Sequence, residues 1–236
     1  MNYRDLLDGE TRVVAVIRSE WDWRYASKTT ESFDVLERRY DRWSGPTESL
    51  APIVKPSILT VRDASEGGHR PDWNDSQRRD VFLEHLPTST LVDIEVRSAS
   101  RLTEVIEEAR RINVGVILSS HYLKACPPSH LLRDEAFLAH KLGANLFKIA
   151  VFADTLAEAL PILRFMTEAE EEFPQMPVVP MVTGKLGRAF RILAAGCKFP
   201  FVYGYVTEPD TPGQWHIADF KHVLAMVEKE NWCGND

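Results

Sequence analysis

The chain predicts an α/β fold, a (β/α)8 barrel of the TIM type. Three observations lead there: short apolar runs that suit buried parallel strands, longer helix-like stretches between them, and ionisable residues gathered at the strand ends. Its 236 residues, 44% hydrophobic and 27% charged, suffice for one barrel-sized core, so residues 1–236 are expected to form a single domain. No internal repeat, low-complexity tract or linker interrupts it.

Expected strands are Arg12–Arg18, Phe33–Arg38, Ser57–Arg62, Leu91–Arg97, Asn113–Ser119, Asn145–Val151, Val178–Thr183 and Phe201–Val206. Helices are expected over Leu102–Arg111, over Ser129–Leu142 with Ser129 as cap and Gly143 as terminator, and from Thr155 toward Phe173 ahead of Pro174. The first two connections, Ser19–Ser32 and Trp43–Pro56, look too short for full helices and predict a shortened or irregular front to the barrel. Gly67 and Gly68 suit a tight turn after Glu66, and Gly184 and Gly187 a loop leading into a helix.

A net charge of −7 without a long basic run argues against a nucleic-acid partner. Cys126, Cys197 and Cys233 form no close pair, which disfavours both a disulfide framework and a cysteine zinc site and points to a reducing cytoplasm. The charged start of the chain and the lack of any long apolar run predict neither signal peptide nor membrane span. No histidine spacing suggests a metal site, and no G-x-G-x-x-G follows a strand. Neither metal nor cofactor is expected. The tryptophans suit packing, with Trp215 set apart because it directly follows Gln214.

Lys148 stands inside the apolar run Asn145–Phe152. A buried amine without a partner loses its proton more readily and becomes a nucleophile able to form a Schiff base. By itself such a lysine could equally snorkel to solvent. His121, just past the preceding strand, gives it company, because imidazole can accept and return a proton near neutral pH.

Glu37-Arg-Arg-Tyr-Asp41, Thr60-Val-Arg-Asp-Ala-Ser-Glu-Gly-Gly68, Asp93-Ile-Glu95, Ile117-Leu-Ser-Ser-His121, Phe147-Lys-Ile-Ala150, Gly184-Lys-Leu-Gly-Arg-Ala-Phe-Arg191 and Pro212-Gly-Gln214 occur in that order. Spacings are 27 residues from His121 to Lys148, 43 to Arg191 and 23 to Gln214. In order and spacing this series resembles the type I 3-dehydroquinate dehydratases, over nearly the whole chain. The resemblance implies a cofactor-independent lyase in which Lys148 forms an imine with the substrate ketone and His121 is general acid and base, oriented by Glu66. It implies further that Arg191 and Gln214 hold the substrate carboxylate, that Glu37, Arg39 and Arg62 meet ring hydroxyls, and that the enzyme is a homodimer.

The chain departs from the family pattern mainly at the carboxylate end. Asp210 and Thr211 stand where the family has serine and alanine, Phe190 where it has serine, Tyr122 where aspartate often follows the histidine, and Cys126 in place of a threonine. Asp210 and Thr211 are therefore included among the expected substrate-binding residues. Two other readings remain open: a Schiff-base barrel acting on a different keto acid, and a regulatory domain that binds dehydroquinate without turnover.

Overall fold

The computed structural model describes residues 2–43 and 50–229. Its sheet contains β1 (Arg12–Ile17), β2 (Val35–Arg39), β3 (Ser57–Thr60), β4 (Leu91–Glu95), β5 (Gly115–Tyr122), β6 (Leu146–Phe152), β7 (Val178–Thr183), β8 (Phe201–Tyr205) and the two-residue β9 (Trp215–His216). All pairings are parallel, and the order is β7-β6-β5-β4-β3-β2-β1-β8-β9. Consecutive strands are thus neighbours, as a series of βα units requires, and the sheet curls into a TIM-type barrel. β7 and β8 approach each other without ladder bonds among the described residues. Arg191 spans that seam, donating from Nη1 to Val182 O at 3.1 Å and from Nε to Tyr203 O at 3.0 Å.

Every expected strand is present, and Val178–Thr183 has the expected bounds. The others shift at their ends. β4 stops at Glu95 because Val96–Ser98 turns into a 3-10 helix, and β5 runs on to Tyr122 because its ladder with β6 continues to the pair Tyr122 and Val151. The helices are α1 (Glu20–Ala26), α2 (Asp75–His85), α3 (Thr103–Arg111), α4 (Ser129–Lys141), α5 (Leu156–Glu172), α6 (Gly187–Gly196) and α7 (Ile217–Lys229). α1 is a short helix in the first connection, capped by Ser19. The second connection carries no helix among its described residues, and residues 44–49 of it lie outside them. Thr155 caps α5 in a reciprocal box with Glu158, whereas Pro128, not Ser129, precedes α4 and supplies no side-chain cap. Gly143 does close α4, at φ 72°.

Two apolar layers support the barrel. The outer one packs helices on the sheet; the inner one is a floor of Val14, Val35, Ile58, Leu91, Ile117, Leu146, Val179 and Phe201. Tyr3 and Leu6 join that floor from the N-terminal segment. Gly115 makes room for them, since a Cβ there would come within 2.6 Å of the Tyr3 ring. No described helix is long and apolar enough to cross a membrane. Trp232 and Cys233 lie outside the described residues.

Candidate active site

Side chains on a strand repeat every two residues, so one step up from an inward floor residue lands again inside the barrel. Here that step turns from apolar to polar: Val35 to Glu37, Ile58 to Thr60, Leu91 to Asp93, Ile117 to Ser119, Leu146 to Lys148, and Phe201 to Tyr203. A further step reaches Arg39, Arg62, Glu95 and His121. The layer opens into a cavity of about 1180 Å³ at the C-terminal ends of the strands. Glu37, Arg39, Arg62, Glu66, His121, Lys148, Arg191, Asp210, Thr211 and Gln214 all line it.

Lys148 is 3% exposed, yet it is not the unpartnered amine expected from sequence. Its Nζ donates to Asp93 Oδ2 at 2.9 Å and Glu37 Oε1 at 3.2 Å, and lies 4.2 Å from the centre of the Tyr203 ring. Two carboxylates offset the cost of burying the charge. Asp93 also accepts from Arg62 Nη2 at 2.8 Å and Ser119 Oγ at 2.6 Å. Burial works against its carboxylate, but Arg62 and Lys148 together hold its pKa below the usual range.

Arg62 Nη1 donates to Glu95 Oε1 and Ser119 Oγ. Its two terminal nitrogens are thus committed to the protein, so Arg62 acts first as the hub of a buried charge network. Arg39 spends Nε and Nη2 on Asp41, each at 2.8 Å, leaving Nη1. Asp41 in turn accepts from the backbone N–H groups of Arg62 and His69.

Glu66 is held by a 3-10 turn that ends at Gly67, φ 89°, while Gly68 packs so tightly that a Cβ would fall 2.0 Å from Arg62 O. Its Oε2 accepts from the His121 backbone N–H and contacts His121 Nδ1, both at 2.8 Å. With Nδ1 committed to Glu66, Nε2 is the ring nitrogen left for the cavity. Oε1 forms a 2.6 Å ion pair with Arg97. Burial, then Arg62 and Lys148, push the His121 pKa well below 6.5, so the ring is neutral at neutral pH, with Nε2 free to accept a proton. Burial raises Glu66 to about 7 against the pull of Arg62.

At the opposite wall Arg191 is almost wholly buried, and burial lowers its pKa to about 10. Besides the two seam carbonyls it binds Gly187 O and Gly213 O. Only Nη2 has no partner, so Arg191 has one nitrogen, not a two-nitrogen fork, left for a ligand. Gly187 and Gly213 are required here: a Cβ on Gly187 would meet Gly213 O at 2.7 Å. The Thr211 hydroxyl is likewise buried and unpaired. Gln214 Oε1 accepts from the Asp210 and Thr211 backbone N–H groups, which leaves its amide NH₂ as a donor.

Asp210 pairs through Oδ1 with Arg18 and Arg42, both at 2.5 Å. Arg39, Arg62 and Arg191 direct their bonds to other partners. Trp215 is turned from the cavity, stacked on Phe220 and bonded through Nε1 to Arg188 O, while Trp21 lines the mouth. Sequence reading assigned no role to Asp93, Ser119, Tyr203, Arg18 or Arg42. The two-residue step from Leu91 and Phe201 would have found Asp93 and Tyr203; the two arginines left no local signal.

Fold and cavity define a (β/α)8-barrel enzyme with a buried amine and a carboxylate-held imidazole at one mouth. The family model described as type I 3-dehydroquinase matches residues 22–231, and the chain belongs to that family. It is 30% identical to the 3-dehydroquinate dehydratase of Thermococcus gammatolerans over 197 residues, covering 83% of this chain and 88% of the relative. It is 26% identical to that of Methanococcoides burtonii, covering 94% and 97%. The crystal structure of 3-dehydroquinate dehydratase from Geobacillus kaustophilus shares the fold, with a TM-score of 0.81 at 24% identity over 93% of this chain and 92% of that one.

Proposed function

We propose that this chain dehydrates 3-dehydroquinate to 3-dehydroshikimate through an imine at Lys148, without a cofactor. The observation that carries the reading is the convergence of Lys148 with the His121–Glu66 pair in one cavity of a family member. The Lys148 nitrogen bonds to the ketone carbon, and the carbonyl oxygen departs as water. His121 Nε2 takes a proton from the adjacent carbon, and the freed electron pair passes through an enamine. The ring hydroxyl then leaves with the proton that His121 returns, and water releases the product from the lysine. Glu66 fixes the imidazole through Nδ1, as the third group of a catalytic triad does.

Arg191 Nη2, the Thr211 hydroxyl and the Gln214 amide receive the substrate carboxylate, while Glu37, Arg39 Nη1 and Arg62 border its ring hydroxyls. Asp210 does not oppose this, because Arg18 and Arg42 neutralise it. The proposal includes a cytoplasmic homodimer; Leu131, Phe137 and Leu138 on α4 with Leu156 and Leu160 on α5 offer exposed apolar area.

The test is to follow the ultraviolet absorbance of the conjugated product and to trap the imine with borohydride. Turnover and a mass adduct on Lys148, both lost in Lys148→Ala, are expected. An adduct on another lysine, or robust turnover by Lys148→Ala, would refute the mechanism.

A further inference from the structure

Tyr203 is 2% exposed, and its hydroxyl has no hydrogen-bond partner. Leaving such a group unpaired costs stability, and phenylalanine would fill the same space without that cost. Its ring faces Lys148 Nζ at 4.2 Å, and that amine rests on Glu37 and Asp93. Burial, then the charges of Glu37 and Asp93, raise the phenol pKa well above 10, so the hydroxyl remains a donor at any working pH.

The amine's donors change when the imine forms. A lysine ammonium has three N–H groups. On condensation the N–C bond forms, the C–O bond breaks, and the oxygen leaves as water with two of those protons, so the iminium keeps one. Asp93 tolerates the loss, because it retains Arg62 Nη2 and Ser119 Oγ. Glu37 Oε1 retains only Thr60 Oγ1, at 3.0 Å.

On the functional reading above, we infer that Tyr203 is a positioning residue whose hydroxyl takes over from Lys148 as the donor to Glu37 while the imine forms. It acts through Glu37, keeping a buried carboxylate satisfied in the covalent intermediate.

Tyr203→Phe keeps the ring and removes the donor. Rapid-quench borohydride trapping with 3-dehydroquinate should show imine formation slowed by about ten- to a hundredfold, the worth of a hydrogen bond to a charged group, with KM little changed. The thermal midpoint should hold or rise, because the variant loses an unpaired hydroxyl; a merely structural role would lower stability instead. Trapping at the wild-type rate, or a lowered midpoint, overturns the inference. If the wild-type protein traps no adduct, the functional reading falls and this inference with it. A wild-type enzyme that is active and matched by Tyr203→Phe sinks the inference alone.

Discussion

Glu66→Gln removes a charge while keeping nearly the same shape, and its consequences can be worked from the site. Glu66 is 2% exposed, and burial moves its pKa from the usual 4.5 to about 7. Between those values the folded chain holds a proton on Glu66 that the unfolded chain does not. Stability is therefore fully present below about pH 4.5 and lost as the pH rises through about 7. At about 1.36 kcal/mol per pH unit the displacement corresponds to about 3 kcal/mol. Glutamine carries no such penalty. From pH 4.5 to pH 8 the variant should accordingly gain about 2–3 kcal/mol on wild type, a difference insensitive to the exposed Arg97 ion pair, which is worth at most about 1 kcal/mol. Equilibrium urea unfolding at the two pH values measures it. The same titration should govern catalysis, since a protonated Glu66 no longer polarises His121. Wild-type kcat/KM should fall below about pH 7, and Glu66→Gln should lack that limb and turn over about 10²- to 10⁴-fold more slowly. If the two proteins lose stability in parallel with pH, Glu66 does not ionise in this range and its titration cannot be the source of the activity limb near pH 7.

His121→Ala should slow turnover by about 10²- to 10⁴-fold while still forming the imine, so the trapped adduct should accumulate; near-normal turnover in a steady-state assay would remove His121 from the proton transfers. Asp210→Ser frees Arg18 and Arg42 at the mouth, while the loop stays tied through Pro212 O, Gly213 O and Thr207. KM for 3-dehydroquinate should hold or fall with little change in kcat, and a rise in KM beyond about tenfold would show that the Asp210 pairs hold the carboxylate end in place.

The barrel was legible in sequence because its signals are local: each strand is a short apolar run, and on most strands the inward position two residues beyond the floor is polar, charged at Glu37, Asp93 and Lys148. Lys148 and His121 could be picked out from their strands in the same way, whereas the role of Glu66 came from the family resemblance. What sequence could not supply was the partner of each charge. Lys148 reads as an isolated amine along its strand, yet Glu37 and Asp93 meet it from across the barrel, 111 and 55 residues away. Arg191 reads as a free guanidinium, yet two of its hydrogen bonds close the seam between β7 and β8 and two more go to Gly187 O and Gly213 O. Chain spacing tells which residue types arrive at the mouth, but not how their hydrogen bonds are already spent.

That distinction bears most on the carboxylate end, where Asp210 replaces a small hydroxyl residue. An acid beside an incoming carboxylate would be costly, since unit charges 4 Å apart repel by about 4 kcal/mol at an effective dielectric of about 20. Arg18 and Arg42 approach the same Oδ1 from β1's end and from just beyond β2, so Asp210 brings two counter-charges with it. Asp210 therefore does not stand at the mouth as an uncompensated anion. The hydroxyl that Asp210 lacks is found one residue on, at Thr211, buried and unpaired beside a loop that Gln214 and Arg191 also hold. Acid and threonine make sense as a linked pair of changes: the first is neutralised by Arg18 and Arg42, and the second restores the donor displaced by it.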